Sequence, residues 1–250
     1  MTHYPHRFSG CTVIVTGAGA GIGRATAERL AAEDCRVIAV DVSSERLTAL
    51  TAEVTGDIVP VVADITESDG TSAILAAAGE QIDGLANVAG IMDGFEPTAD
   101  IADSTWERVL AVNLTGMMTL TRAVLPVMLG RGRGSIVNVG SEAGLRGSAA
   151  GTPYTTSKHA VNGFTVSTAF FYTPKGVRCN AVAPGPVATS IEAPFRSEWG
   201  QARLGPFLQT NVPPVARPEQ LAAAITWLLS DDASNVSGAV LPVDGGWAAI

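Results

Sequence analysis

What most constrains the fold of this 250-residue chain is an alternation of short β-branched runs with longer segments of helical periodicity. The runs are TVIVT (12–16), RVIAVD (36–41), IVPVV (58–62), GLANVAG (84–90), SIVNVG (135–140) and VRCNAV (177–182), and GAVLPV (238–243) closes the series before the turn DGG. Between them, GIGRATAERLAAE (21–33) and WERVLAVNLTGMMTLTRAVLPVML (106–129) repeat apolar residues at helical spacing. Strands separated by helices return to the same edge of a sheet and therefore pair in parallel. The pattern predicts an α/β fold, a doubly wound parallel β-sheet with helices on both faces, in one domain over residues 1–250. One long stretch, between Thr189 and Arg217, shows neither strand nor clear helix. A connection of that length inside a compact domain is usually functional, so residues 190–216 are the candidate substrate lid.

The first strand runs into TGAGAGIG, with Gly17, Gly19, Gly21 and Gly23 directly before a helix. Glycines there let the backbone approach a pyrophosphate, and the N–H groups and dipole of the helix start favour the anion. The spacing is T-G-x-x-x-G-I-G, not a strict G-x-G-x-x-G, and it marks a Rossmann-type dinucleotide site. The second strand ends at Asp41, eighteen residues after Gly23. A carboxylate at that point accepts bonds from the adenosine ribose hydroxyls and repels a 2′-phosphate, which predicts NAD and disfavours NADP. The alternative is that Asp41 only caps the helix that follows.

The net charge of −8 and pI near 4.8 argue against nucleic acid or an anionic membrane as partner, since both require clustered basic residues. Small molecules and copies of the chain are the expected partners. Cys11, Cys35 and Cys179 are too scattered for a disulfide framework or a zinc site and fit a reducing cytoplasm. The N-terminus has no apolar leader core, and no run approaches the ~18 apolar residues of a membrane span. No spacing of His, Cys and Asp suggests a metal site.

Only three tyrosines and two lysines occur, yet Tyr154 and Lys158 stand four residues apart in GTPYTTSKHA. Chance places such a pair about 2% of the time. On a helix the two share one face, so the ammonium is placed to stabilise a phenolate. Moving a hydride to or from an alcohol carbon requires a group that takes and returns the hydroxyl proton. Tyr154 is that group if a nearby ammonium and a cationic nicotinamide lower its pKa from about 10 by two or three units. His159 points about 100° around the helix from Lys158 and is expected to be structural or on the surface. His3 and His6 fall in an expected frayed tail.

Taken together, TGAGAGIG, NVAG (87–90), Asn113 in AVNLTG, Ser141 in NVGSEAG, YTTSK (154–158), APGPVAT (183–189) and VDGG (243–246) resemble the short-chain dehydrogenase/reductase family over essentially the whole chain. The resemblance implies a catalytic set of Asn113, Ser141, Tyr154 and Lys158. Ser141 would hydrogen-bond the substrate oxygen, Lys158 would also hold the nicotinamide ribose, and Asn113 would hold a relay water. It further implies cofactor contacts from Gly17, Gly21, Ile22, Gly23 and Asp41, from Asp64 and Ile65 near the adenine, from Asn87, Ala89 and Gly90 alongside, and from Pro184, Gly185 and Thr189 at the nicotinamide end. Two positions depart from the family pattern: Val88 replaces the second Asn of NNAG, and Gly140 the first Ser of a Ser-Ser pair.

The lid segment carries Phe195 and Trp199 among other apolar residues, and Met92, Phe95, Ala143 and Leu145 follow strands that open on the same crevice. These six, with Ser141 and Tyr154, are the expected substrate contacts, and they suit an uncharged, hydrophobic, cyclic alcohol or ketone. The lid side chains equally fit a seal against their own domain. The helix AVNGFTVSTAFFY (160–172) is apolar around much of its circumference, which predicts burial against something beyond its own sheet. The family resemblance implies that such helices build dimers and tetramers, so a homotetramer is expected, with the 247–250 tail joining a contact. The alternative is burial of that helix within one subunit. The predicted activity is NAD-dependent interconversion of a secondary alcohol and a ketone. The competing readings are a 3-oxoacyl-thioester reductase, and an idle NAD-binding sensor or scaffold.

Overall fold

The structure is a computed structural model that describes residues 4–191 and 193–249; His3, the lid residue Glu192 and the terminal Ile250 lie outside the described residues. The seven expected strands form: β1 (Thr12–Thr16), β2 (Arg36–Asp41), β3 (Ile58–Val62), β4 (Gly84–Asn87), β5 (Gly134–Val139), β6 (Val177–Pro184) and β7 (Val240–Val243). All neighbours pair in parallel, in the order β3-β2-β1-β4-β5-β6-β7. The order reverses at β1, so the crevice between the loops after β1 and β4 is where a ligand fits such a sheet. Both edge strands carry a proline, Pro60 in β3 and Pro242 in β7, which removes a donor from the outer ladder and discourages further pairing.

Alternation along the strands divides the core in two. Val13, Val15, Val37 and Ala39 face one side, under α1 (Gly21–Ala32), α2 (Ser44–Glu53) and a C-terminal helix over Pro218–Leu229. Ile14, Ile38, Leu85 and Ile136 face the other, under α3 (Ser68–Ala78) and the helices between β4 and β6. The long apolar segment expected as one helix has three parts: α4 (Asp103–Leu110), a π-helical turn at Ala111–Gly116, and α5 (Met117–Arg131). The whole run has the length and hydropathy of a membrane span, but Leu120, Val124 and Met128 pack it onto the sheet. Next comes α6 (Thr152–Tyr172), the helix of Tyr154 and Lys158.

The lid differs from the expectation. It contains a 14-residue helix, α7 (Glu198–Asn211), despite Pro206 within it, and α8 (Pro218–Leu229) follows. Ser197 caps α7 by accepting from Gly200 N at 2.9 Å and also donates to Asp100 Oδ2 at 2.5 Å. The stem of the lid is closed by Ala188 N to Ala216 O and Ala216 N to Pro186 O, each 2.9 Å. The N-terminal tail is also tied down from Tyr4 on: buried Glu33 accepts from Tyr4 N and pairs with Arg7 at 2.6 Å, so His6 is not in a frayed segment.

The start of α1 leaves no room for a larger residue, since a Cβ on Gly23 would stand 2.1 Å from the Gly17 carbonyl oxygen. Gly23→Ala should therefore destabilise by about 1–3 kcal/mol through overpacking. The check is thermal unfolding, in which the variant melts several degrees below wild type.

Candidate active site

A cleft of about 1160 Å³ opens along the C-terminal edge of the sheet, between the strand-end loops and the lid. Gly17, Gly21, Ile22 and Gly23 form one wall at the start of α1. That helix has no side-chain cap and no acidic residue in its first turn, which leaves its N–H groups and dipole available to an anion. Asp41 ends β2, lines the same cleft, and accepts from Gly19 N at 2.9 Å and Ser43 N at 3.0 Å. It does not cap α2, whose cap is Ser43. Arg46 lies beside it on the cleft and pairs with no carboxylate in the described ion pairs. Asp64, Ile65, Ala89, Gly90, Pro184, Gly185 and Thr189 also line the cleft, as the sequence predicts. An uncapped helix start and a strand-end carboxylate in a single long cleft are a donor set that fits a nicotinamide dinucleotide.

At the far end Ser141, Tyr154 and Lys158 meet. Ser141 follows β5 and accepts from Ala143 N at 3.1 Å, which leaves its hydroxyl proton free to point at another oxygen. Lys158 is 4% exposed; its ammonium donates to the Val139 carbonyl at 2.8 Å and lies 5.4 Å from the centre of the Tyr154 ring. Burial pushes the lysine down to about 8. The tyrosine departs from the expectation: its pKa is not lowered but pushed up to about 12. Burial is the largest cause, the charge of Asp93 adds to it, and a hydrogen bond with Ser141 works in the opposite direction. Desolvation of the phenolate thus outweighs the Ser141 hydrogen bond.

Asn87, expected at the cofactor, and Asn113, expected to hold a relay water, do not line the cleft. Asn87 is buried in the sheet, its amide donating to Thr121 Oγ1 and Asn138 Oδ1. Asn113 sits in the π turn, where it accepts from Ile91 N at 2.8 Å and donates to Ile91 O and Ser157 Oγ. It does approach the lysine: a Cβ on Gly90 would stand 3.3 Å from Asn113 Oδ1 and 3.6 Å from Lys158 Nζ.

The substrate wall needs more correction. Met92 and Phe95 line the cleft, but Ala143 is buried away from it and Leu145 is exposed outside it. Phe195 stacks on Phe95 with ring centres 4.4 Å apart, a lid-to-loop seal and not a cleft surface, and Trp199 is 62% exposed to solvent. The lid wall is instead mostly apolar, with Ile191, Ala193, Pro194, Leu208, Val212 and Val215, together with Ser190 and the charged Arg196. His159 is exposed and bonds the Thr155 carbonyl, a surface role as expected. Sequence reasoning overlooked Asp93, a buried carboxylate on the cleft whose partners lie some sixty residues away in the chain.

A family model for short chain dehydrogenase matches residues 11–199. The chain is 39% identical to the short-chain dehydrogenase/reductase cdmF of Talaromyces verruculosus, over 95% of this chain and 97% of that one. It is 37% identical to 3beta-hydroxysteroid dehydrogenase 2 of Eggerthella lenta, over 96% of both. Its fold superposes on the crystal structure of levodione reductase with a TM-score of 0.87 and 36% identity, over 97% of this chain and 99% of that one. Sheet order, cleft and sequence agree: the chain belongs to the short-chain dehydrogenase family, oxidoreductases with a Rossmann-type fold that binds a nicotinamide cofactor.

Proposed function

We propose that the protein is an NAD(H)-dependent dehydrogenase/reductase that interconverts a secondary alcohol and a ketone on a hydrophobic, ring-bearing substrate. The observation that carries this reading is the meeting of Ser141, Tyr154 and Lys158 at one end of a cleft whose other end is Asp41. The nicotinamide, when bound, gives or accepts the hydride and in its oxidised form brings a positive charge. Tyr154 gives its proton to the ketone oxygen, or takes it from the alcohol. Ser141 donates to that same oxygen and stabilises the charge that develops on it. Lys158 has two ammonium protons beyond the one held by Val139, enough to grip a ribose diol and to orient a cation toward the phenol. Asn113 Oδ1 keeps a second lone pair near that ammonium, where a relay water would be held.

For the cofactor, Asp41 supports NAD, because its buried carboxylate would face a 2′-phosphate. NADP is the second reading, favoured by Arg46 at the same end of the cleft. The largely apolar lid wall, with Arg196 as its one charged member among the described lining residues, supports a hydrophobic substrate, and the names of the steroid dehydrogenase and levodione reductase relatives are consistent with a ring. Val166, Phe170 and Phe171 present an exposed apolar face on α6, with Phe170 75% exposed, which supports self-association to a homotetramer.

A screen of cyclic alcohols and ketones, followed by NADH absorbance in both directions, tests the activity; turnover of none of them, with NAD still bound, would sink it. Tyr154→Phe should cut kcat by roughly 10²–10⁴-fold and leave NAD affinity nearly unchanged, whereas Lys158→Ala should lower both. The pH dependence has a definite sign. A phenol held at about 12 stays protonated at neutral pH, so ketone reduction should be level through neutrality and fall only in alkali. Alcohol oxidation needs the phenolate and should climb with pH over the same range; an oxidation rate that fell with rising pH would contradict the role of Tyr154. In steady-state kinetics, Asp41→Ala should shift preference toward NADP, and Arg46→Ala should remove what NADP activity there is.

A further inference from the structure

Helix α6 starts without a cap of its own. Its N-cap position is Gly151, which has no side chain to offer the first free N–H groups. The acceptors come from the loop after β4. Asp93 Oδ1 accepts from Gly151 N at 3.2 Å and from Phe95 N at 2.9 Å, and Asp93 Oδ2 accepts from Tyr154 N at 2.9 Å. Glu96 O accepts from Thr152 N at 2.9 Å, and Pro153 has no N–H. Every N–H group in the first turn is thereby accounted for, and the one belonging to Tyr154 is held by a carboxylate only 4% exposed.

Resting on the reading of Tyr154 as the proton-transfer group, we infer that Asp93 is a positioning residue for it: a helix cap supplied from the cofactor-side loop, which fixes where the tyrosine stands in the cleft. Tyr154 is the third residue of α6, the position whose N–H a cap side chain accepts from in an ordinary N-terminus. A negative charge there is also favourable to the helix dipole. The glycine is a consequence of the arrangement, because a Cβ on Gly151 would stand 2.5 Å from Asp93 Oδ2 and 2.6 Å from Glu96 N. The same loop holds the lid, through Arg196 N to Gly94 O at 2.9 Å and the Phe95–Phe195 stack. One carboxylate therefore ties the tyrosine to the wall on which the lid packs.

The charge of Asp93 also reaches the phenol and makes its ionisation harder. The other polar and charged groups around the pair are Ser141 and Lys158 on the side of Tyr154, and Glu96 and Arg196 on the side of Asp93. Asp93→Asn keeps the size but puts an amide NH₂ where one N–H group needs an acceptor. Hydrogen exchange should then quicken by roughly fivefold or more in the peptide 151–158, and not in the sheet. Turnover should fall roughly tenfold or more while NAD affinity is retained. With the charge gone, the phenol ionises more readily, so the alkaline fall of reduction and the rise of oxidation should both move to lower pH. A residue with a merely structural role would lower turnover without moving those limbs. Unchanged exchange in 151–158 together with unmoved limbs would overturn the inference. Should Asp93→Asn not fold, Asp93→Ser reads the same two quantities. If the wild-type protein turned over no alcohol or ketone, the role of Tyr154 would fall, and hydrogen exchange alone would still decide whether Asp93 holds it.

Discussion

A parallel sheet sends the C-terminal ends of all its strands to one edge, and each backbone group buried there needs a partner the sheet itself does not provide. In this protein the partners are the residues of the site. Thr16 Oγ1 accepts from Val88 N and Ala89 N, joining the loop after β4 to the end of β1 at the point where the strand order reverses. The Val139 carbonyl at the end of β5 is taken by the Lys158 ammonium, and Gly19 N by Asp41. Satisfying the edge and assembling the cleft are therefore one problem with one solution. Replacing Lys158 removes a buried cation and also leaves a buried carbonyl without its donor, at a typical cost of about 1–3 kcal/mol.

Burial shapes the chemistry at the tyrosine end. It drives Lys158 down to about 8 and Tyr154 up to about 12, each toward its neutral form. Because the unfolded lysine holds its proton to higher pH, its contribution to stability rises with pH from about 8 to 10.5. The tyrosine acts in the opposite sense: above pH 10 the unfolded phenol ionises while the folded one does not, so its contribution falls as pH climbs toward about 12. At neutral pH the fold thus carries a partly uncompensated ammonium. A second charge of suitable sign in the cleft changes both groups, and a protonated phenol at rest is the form that ketone reduction requires.

The strands are legible because β-branched runs and turn residues carry local information, and the glycine loop, Asp41, Tyr154 and Lys158 because each lies beside a strand end or at helical spacing, whereas Ser141 is picked out only by the family resemblance. The π turn at Ala111–Gly116 is not legible, since a run of apolar residues has the same pattern in either kind of turn. In the lid, Gly200, Gly205 and Pro206 have low helix propensity. The helix forms nonetheless, with Ser197 as cap, Phe195 stacked on Phe95 just before it, and Gly200 packed against the Phe95 carbonyl. Trp199 illustrates the reverse error, an aromatic assigned to substrate by proximity in sequence that the turn of the helix points outward. The raised Tyr154 pKa was invisible for a different reason: spacing reveals the nearby cation but not the depth of burial.

Asp93 shows why tertiary capping is hard to read from a chain. Gly151-Thr152-Pro153 places a hydroxyl residue directly before a proline, a pattern common at helix starts. In the structure Thr152 is already inside the helix, and its hydroxyl faces Thr98 at 3.4 Å. The cap comes from the loop after β4, the strand that lies between β1 and β5. A cap on the helix itself would fix Tyr154 relative to α6 alone. A cap delivered from that loop fixes it relative to the loop itself, whose Met92, Asp93 and Phe95 line the cleft, so that one carboxylate joins the tyrosine to that wall.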